Sequence, residues 1–246
     1  MTSSFVHMGL VYAPDRFKGM DQFRVLILVL ASDTEPLYCK LQSIWKTVSH
    51  PRADILFLKA HPNLHGEDFL HENTITSGCQ ETLKSVYEKQ MRSFKLLRPM
   101  LGNYAFVFRT NLSSFLDIPK YLDFCSMLPR AGVYSGVAGY DYNTRFASGS
   151  GFTITPDLIH RLVEENPPEV FLDDVSIGAA ISRWGVSIIP APRLDLTSDG
   201  GWLLRPAPYT GPTFHRRIKT DNRESDAETL LSLFQEPRSS FLDKVK

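Results

Sequence analysis

Apolar positions along the chain follow two different periods. The run "FRVLILVLASD" is continuously apolar until it breaks at Ser32 and Asp33, the pattern of a strand covered on both faces. In "EPLYCKLQSIWKTVSH", Leu37, Leu41, Ile44 and Val48 recur on one helix face, and "ADILFLKA" returns to a buried strand. Their short connections predict a βαβ unit with a right-handed crossover in a parallel sheet. Residues 61–79 are polar and predict a loop that carries His61, His65 and His71. "ETLKSVYEKQMRSFKLLRPML" predicts a long amphipathic helix with Leu83, Val86, Tyr87, Met91 and Phe94 on its core stripe, and "YAFVFRT" predicts the next strand.

Further along, the pattern predicts a helix near 114–128 and a short strand in "AGVYSGVAG". Small residues at 147–151 then precede an apolar strand, and a helix opens at Thr155-Pro156-Asp157, with Pro156 in its first turn. "VFLDDVSIGAAISRWGVSII" predicts a helix with Val175, Ile177, Ala180 and Ile181 inward, a stop at Gly185 and another strand. Residues 190–212 are rich in Pro and Gly and predict an irregular excursion. It ends in "TFHRRIK", and a final helix, "SDAETLLSLF", has Ser225 and Glu228 at capping-box spacing. With no internal repeat and no separating linker, the expectation is one α/β, Rossmann-like domain with a mostly parallel central sheet flanked by helices. Its parts are a loose lead over 1–22, a core over 22–222, and a C-terminal helix and tail over 223–246.

Composition narrows the classes of function. The 246 residues suffice for a substantial core, and 43% hydrophobic, 11% aromatic and 22% charged residues belong to a globular chain. Formal net charge is zero, so no overall field draws the chain to nucleic acid or to an anionic membrane. Cys39, Cys79 and Cys125 are too far apart for a recognised metal pattern, and they are read as free thiols of the core in a reducing compartment. The N-terminal residues lack a charged-then-apolar export pattern and "RVLILVLA" is too short to span a bilayer, giving the expectation of a cytoplasmic protein without a membrane span. That expectation argues against glycosylation at Asn111-Leu112-Ser113 despite its acceptor pattern. The loop histidines lack the Cys or carboxylate partners of a metal site and are read as solvated.

Chemistry concentrates at four places. Asp173 and Asp174 can cap the helix they open, or one can cap while the other removes a proton from a hydroxyl. His215, Arg216, Arg217 and Lys219 form either a solvated basic strand or a partial diphosphate site, to which Arg109 could contribute. "ASGSG", over 147–151, allows a ligand close to the backbone or simply makes a turn or bulge. "FVFRTNLSSF" holds Arg109, Asn111 and Ser113 at the end of a buried strand. Neither a Rossmann glycine pattern nor a P-loop lysine motif is present, which argues against dinucleotide oxidoreductases and P-loop kinases.

In order, "YAFVFRTNLSSF", "FASGSGFTITPDLIHRL", "FLDDVSIGAAISRWGV" and "TFHRR" resemble a GT-A glycosyltransferase, nearest the β-1,3-galactosyltransferase and Fringe-like group. The resemblance implies an inverting transfer of sugar from a nucleotide-diphosphate sugar to the hydroxyl of a glycan or other acceptor. It implies Asp174 as the base and Asp173 as its acidic neighbour, with Gly149, Ser150 and Gly151 beside the donor sugar. Ser32 and Asp33 would lie near the nucleotide, as the switch-point rule for open α/β sheets also expects. Arg109, His215 and Arg216 would stabilise the leaving diphosphate. Asn111, Leu112 and Ser113 stand where the family holds Mn²⁺ or Mg²⁺ with aspartates, so any metal would depend on phosphate, water and His215. A non-catalytic protein that binds nucleotide sugars or carbohydrate on the same fold is the alternative.

Overall fold

The computed structural model describes residues 23–236. The loose lead over 1–22 and the tail over 237–246 lie outside the described residues. The first unit forms as the pattern requires: β1 (Val25–Leu30), α1 (Pro36–Trp45) and β2 (Ala53–Ala60), with β1 and β2 parallel and in register from Val25 opposite Ala53. Pro36 occupies the first turn of α1, where its missing amide hydrogen costs nothing. The expected loop over 61–79 instead contains a short 3₁₀ turn and a hairpin, β3 (Asp68–His71) and β4 (Thr74–Ser77), which extends the sheet beyond β2. Ile75 is the one fully buried apolar side chain of this hairpin, beside the polar Ser77, so hydrophobicity along the chain did not mark it.

The amphipathic helix divides into a 3₁₀ turn, α2 (Val86–Leu97) and a second 3₁₀ segment ending at Asn103. Leu83, placed on the core stripe by spacing, is 74% exposed because the helix proper begins after it. β5 (Phe106–Asn111) then pairs parallel with β1. The expected helix near 114 is preceded by a short strand, β6 (Ser114–Leu116); α3 (Ile118–Ser126) follows, with the Asp117 carboxylate accepting the Lys120 amide at its start.

β7 (Tyr134–Asp141) and β8 (Thr144–Ile154) form a long hairpin. Its two-residue turn, Tyr142 at φ 46° and Asn143 at φ 55°, has the left-handed backbone at both central positions that matches the twist of the flanking strands. The reversal makes β8 antiparallel to β5. The eight-stranded sheet, ordered β3-β4-β2-β1-β5-β8-β7-β9, is therefore mixed rather than mostly parallel. α4 (Pro156–Glu165), α5 (Asp173–Arg183) and β9 (Ile188–Pro190) follow as expected. The excursion over 190–212 is not irregular throughout, since β10 (Arg193–Leu196) and β11 (Trp202–Arg205) pair antiparallel within it. β12 (His215–Arg217) joins them and β6 in a second sheet, ordered β11-β10-β12-β6. α6 (Arg223–Gln235) starts two residues earlier than the sequence signal, and Asn222, not Ser225, caps it by accepting the Ser225 amide.

Alternation along β1 divides the core. Val25, Ile27 and Val29 face α1, α3 and α6, while Leu26 and Leu28 face α2, α4 and α5. This two-sided cover explains the uninterrupted apolar runs. Cys79 and Cys125 are buried as expected, whereas Cys39 on α1 is exposed. No helix among the described residues is long and apolar enough to cross a membrane.

Candidate functional site

β1 and β5 are parallel neighbours, and their C-terminal ends open on a cleft of about 750 Å³, the position open α/β sheets favour for ligands. The middle of β8, the start of α5 and the end of β12 complete its walls. At its floor, the buried Arg109 of β5 donates to Gln90 Oε1 at 3.2 Å, to the Gly149 carbonyl and to the Asp173 carboxylate. Burial lifts the Asp173 carboxyl above the ordinary carboxylate range, and the Arg109 guanidinium opposes that rise.

Asp174, next along α5, is only partly buried and faces the cleft. The Gly149 amide donates to its Oδ2 at 2.7 Å, and the Val175 amide to its Oδ1 at 3.0 Å. A Cβ on Gly149 would lie 2.9 Å from both Arg109 Nη1 and Asp174 Oδ2, so only glycine lets the strand approach these groups so closely. Along the same strand, Arg193 donates to Ser148 Oγ at 3.0 Å and to Ser150 Oγ. Burial pushes Asp195 upward, but Arg193 and Arg205 outweigh it and hold that carboxyl below its usual range.

The corner after β5 joins the two sheets. Asn111 Oδ1 accepts the Ser113 amide at 3.0 Å and Ser114 Oγ–H at 3.2 Å, a local turn that sends the chain from β5 into β6. Ser113 Oγ in turn accepts from Arg223 Nη2 at 2.6 Å. On the opposite rim, Lys89 donates to Glu81 at 2.5 Å and to the carbonyl of Ala31, just beyond β1, at 3.1 Å.

The cleft thus gathers Ser32, Arg109, Asn111, Ser113, Gly149, Ser150, Asp173 and Asp174. Four expected site residues lie elsewhere. Asp33 turns outward to Lys59 at 2.6 Å, because that cation lies beside it on β2. Gly151 is covered by the His215 ring, whose Cε1 would be 2.2 Å from a Cβ at that position. His215 itself is 3% exposed, edge-on to Phe108, and faces the sheet interior instead of the cleft. Burial, reinforced by the nearby Arg193, lowers its pKa to about 3. Arg216 points across the second sheet, over the rings of Phe115 and Trp202. A metal held by His215 therefore does not fit, and among the described residues no group of three or more His, Cys, Asp or Glu side chains could hold one.

No protein-family model matches this chain, and no curated protein matches it. The cleft must be read from its own chemistry. Glu81, Lys89, Arg193 and Arg223 line it without having been singled out in the sequence. Two of them had a signal: Lys89 falls one turn after Val86 on the inward side of α2, and Arg193 shares a strand face with Asp195. In β12 and its extension, Arg216 and the apolar Ile218 share a buried face, while Arg217 and Lys219 on the other face line the cleft beyond the buried His215.

Proposed function

We propose that the cleft is the catalytic site of a GT-A-like, inverting glycosyltransferase that uses a nucleotide-diphosphate sugar. The observation that carries this reading is Asp174, a cleft-facing carboxylate aligned by the Gly149 amide directly above the buried Arg109–Asp173 pair. Asp174 accepts the proton of the acceptor hydroxyl as its oxygen bonds to the anomeric carbon, and the bond from that carbon to the diphosphate breaks on the opposite side. Gly149 and Ser150 form the wall beside the donor sugar, and Ser32 lies at the nucleotide end. Arg109 acts as a positioning residue, holding Asp173 and the Gly149 carbonyl so that the strand and Asp174 keep their separation.

Asp174→Asn keeps the side-chain shape and an oxygen for the Gly149 amide, giving up only the acceptor for the Val175 amide at the start of α5, and its fold is checked by urea denaturation. It should reduce sugar transfer, measured over a panel of nucleotide-diphosphate sugars, by about two orders of magnitude or more. Turnover like that of the wild type would remove Asp174 from the mechanism. One observation favours the second reading, a nucleotide-sugar or carbohydrate-binding protein without turnover: both Asp174 oxygens already accept main-chain amides. Calorimetric binding of a nucleotide sugar by wild-type protein that shows neither transfer nor donor hydrolysis would select it.

A further inference from the structure

The charges of the cleft are not evenly matched. Its acidic side chains Glu81 and Asp173 are already paired with Lys89 and Arg109, and Asp174 is held by amides; Glu35 lies on the exposed rim. Arg217 and Lys219, at the end of β12, line the same cleft and have no ion-pair partner among the described residues. Arg223 lies beside them in the cleft wall. Its Nη1 is fixed by Asp226 and by the Ile218 carbonyl at 3.2 Å, and its Nη2 reaches Ser113 at the corner after β5. Three cations thus converge on a corner whose own oxygens are neutral and are engaged by Asn111's turn and by Arg223.

We infer that Arg217, Lys219 and Arg223 form a diphosphate-binding site that works without a divalent metal. A hard divalent cation at this corner would meet neutral oxygens and the repulsion of Arg223 and Lys219, which is the reverse of what such ions require. A diphosphate meets the opposite situation. Guanidinium N–H groups can bond its oxygens in pairs, and the Lys219 ammonium supplies a compact charge from the exposed rim. In a transferase the same groups stabilise the departing nucleoside diphosphate as negative charge develops on it. That last role rests on the proposed transferase reading; the binding site does not.

Calorimetry on the full chain with inorganic pyrophosphate, in EDTA and then with Mg²⁺, tests the inference. UDP and GDP serve as nucleoside diphosphates and sulfate as the control anion. Pyrophosphate should bind in EDTA, more tightly than sulfate by about tenfold or more, with no requirement for Mg²⁺. Arg217→Gln/Lys219→Gln should weaken it by at least about tenfold. Lys219→Gln alone, at an exposed position that cannot threaten the fold, should weaken it in the same direction. Binding only in the presence of Mg²⁺, equal affinity for sulfate, or variants that bind like wild type would each overturn the site. Tighter binding of UDP or GDP than of pyrophosphate would identify the ligand as a nucleotide, and equal binding would identify the diphosphate alone. Metal-free diphosphate binding without sugar transfer from any donor would leave this inference standing while removing the transferase reading; Mg²⁺-dependent transfer would do the reverse.

Discussion

Arg109 ties β5 to α2, β8 and α5 through one buried guanidinium. It is 2% exposed, stacks its guanidinium over the Phe152 ring at 5.7 Å, and holds Gln90, Gly149 and Asp173 together. A buried ion pair contributes little net stability, yet removing one member leaves a desolvated charge and costs about 3–5 kcal/mol. Arg109→Gln should therefore lower the unfolding free energy by about 3 kcal/mol at neutral pH, measured by urea denaturation. Asp173 gives that loss a sign in pH. Burial raises its folded pKa, so the folded state holds its proton more tightly than the unfolded chain, and stability declines as pH rises through that folded value. Without Arg109 the rise is larger, so the deficit of the variant should shrink as pH is lowered from neutral toward the folded value of Asp173. A deficit that does not vary with pH would show that Asp173 is not the charge left uncompensated.

At the scale of elements, β8 does most to shape the site. Its "ASGSG" segment lies inside an eleven-residue strand and makes the bulge, not the turn, of the two local readings: pairing with β7 shifts register between Gly136, opposite Phe152, and Ala138, opposite Ala147. Gly149 admits Asp174 and Arg109 to one side, while Gly151 admits the His215 ring. Small residues announced close contact in the sequence, but whether a ligand or a side chain fills the space depends on which element packs there, and here β12 fills one of the two positions. Gly151→Ala should cost about 1–3 kcal/mol in thermal or urea unfolding, because the imidazole is buried and has nowhere to retreat. In a His215→Ala background most of that cost should disappear, as expected for residues in direct contact. An equal cost in both backgrounds would mean that the clash is relieved by the strand rather than the ring.

Across the whole molecule, the corner at Asn111–Ser114 and the buried His215 connect the large sheet to the small one. His215 sits on β12 of the small sheet against Phe108 and Gly151 of the large one. With a folded pKa lowered to about 3 from an ordinary 6.5, it is neutral in the fold and gains a proton more readily when unfolded. Its stabilising contribution is complete above about 6.5 and is lost as pH falls toward 3. The melting temperature of the wild type should therefore decline between these limits more steeply than that of His215→Gln; parallel acid profiles would remove His215 from the acid response. The sequence by itself determined the first βαβ unit, β5, α4 and α5, with Asp173 and Asp174 opening α5, because long apolar runs, helical spacing, Pro at first turns and adjacent carboxylates are local signals. Tertiary structure alone decided the mixed sheet, the second sheet that draws two of its four strands from a Pro- and Gly-rich excursion, and the burial of Arg216 and His215 away from the cleft that Arg217, Lys219 and Arg223 line. Those outcomes depend on which distant strand covers each face, and for a short strand of three or four residues that choice belongs to its neighbours.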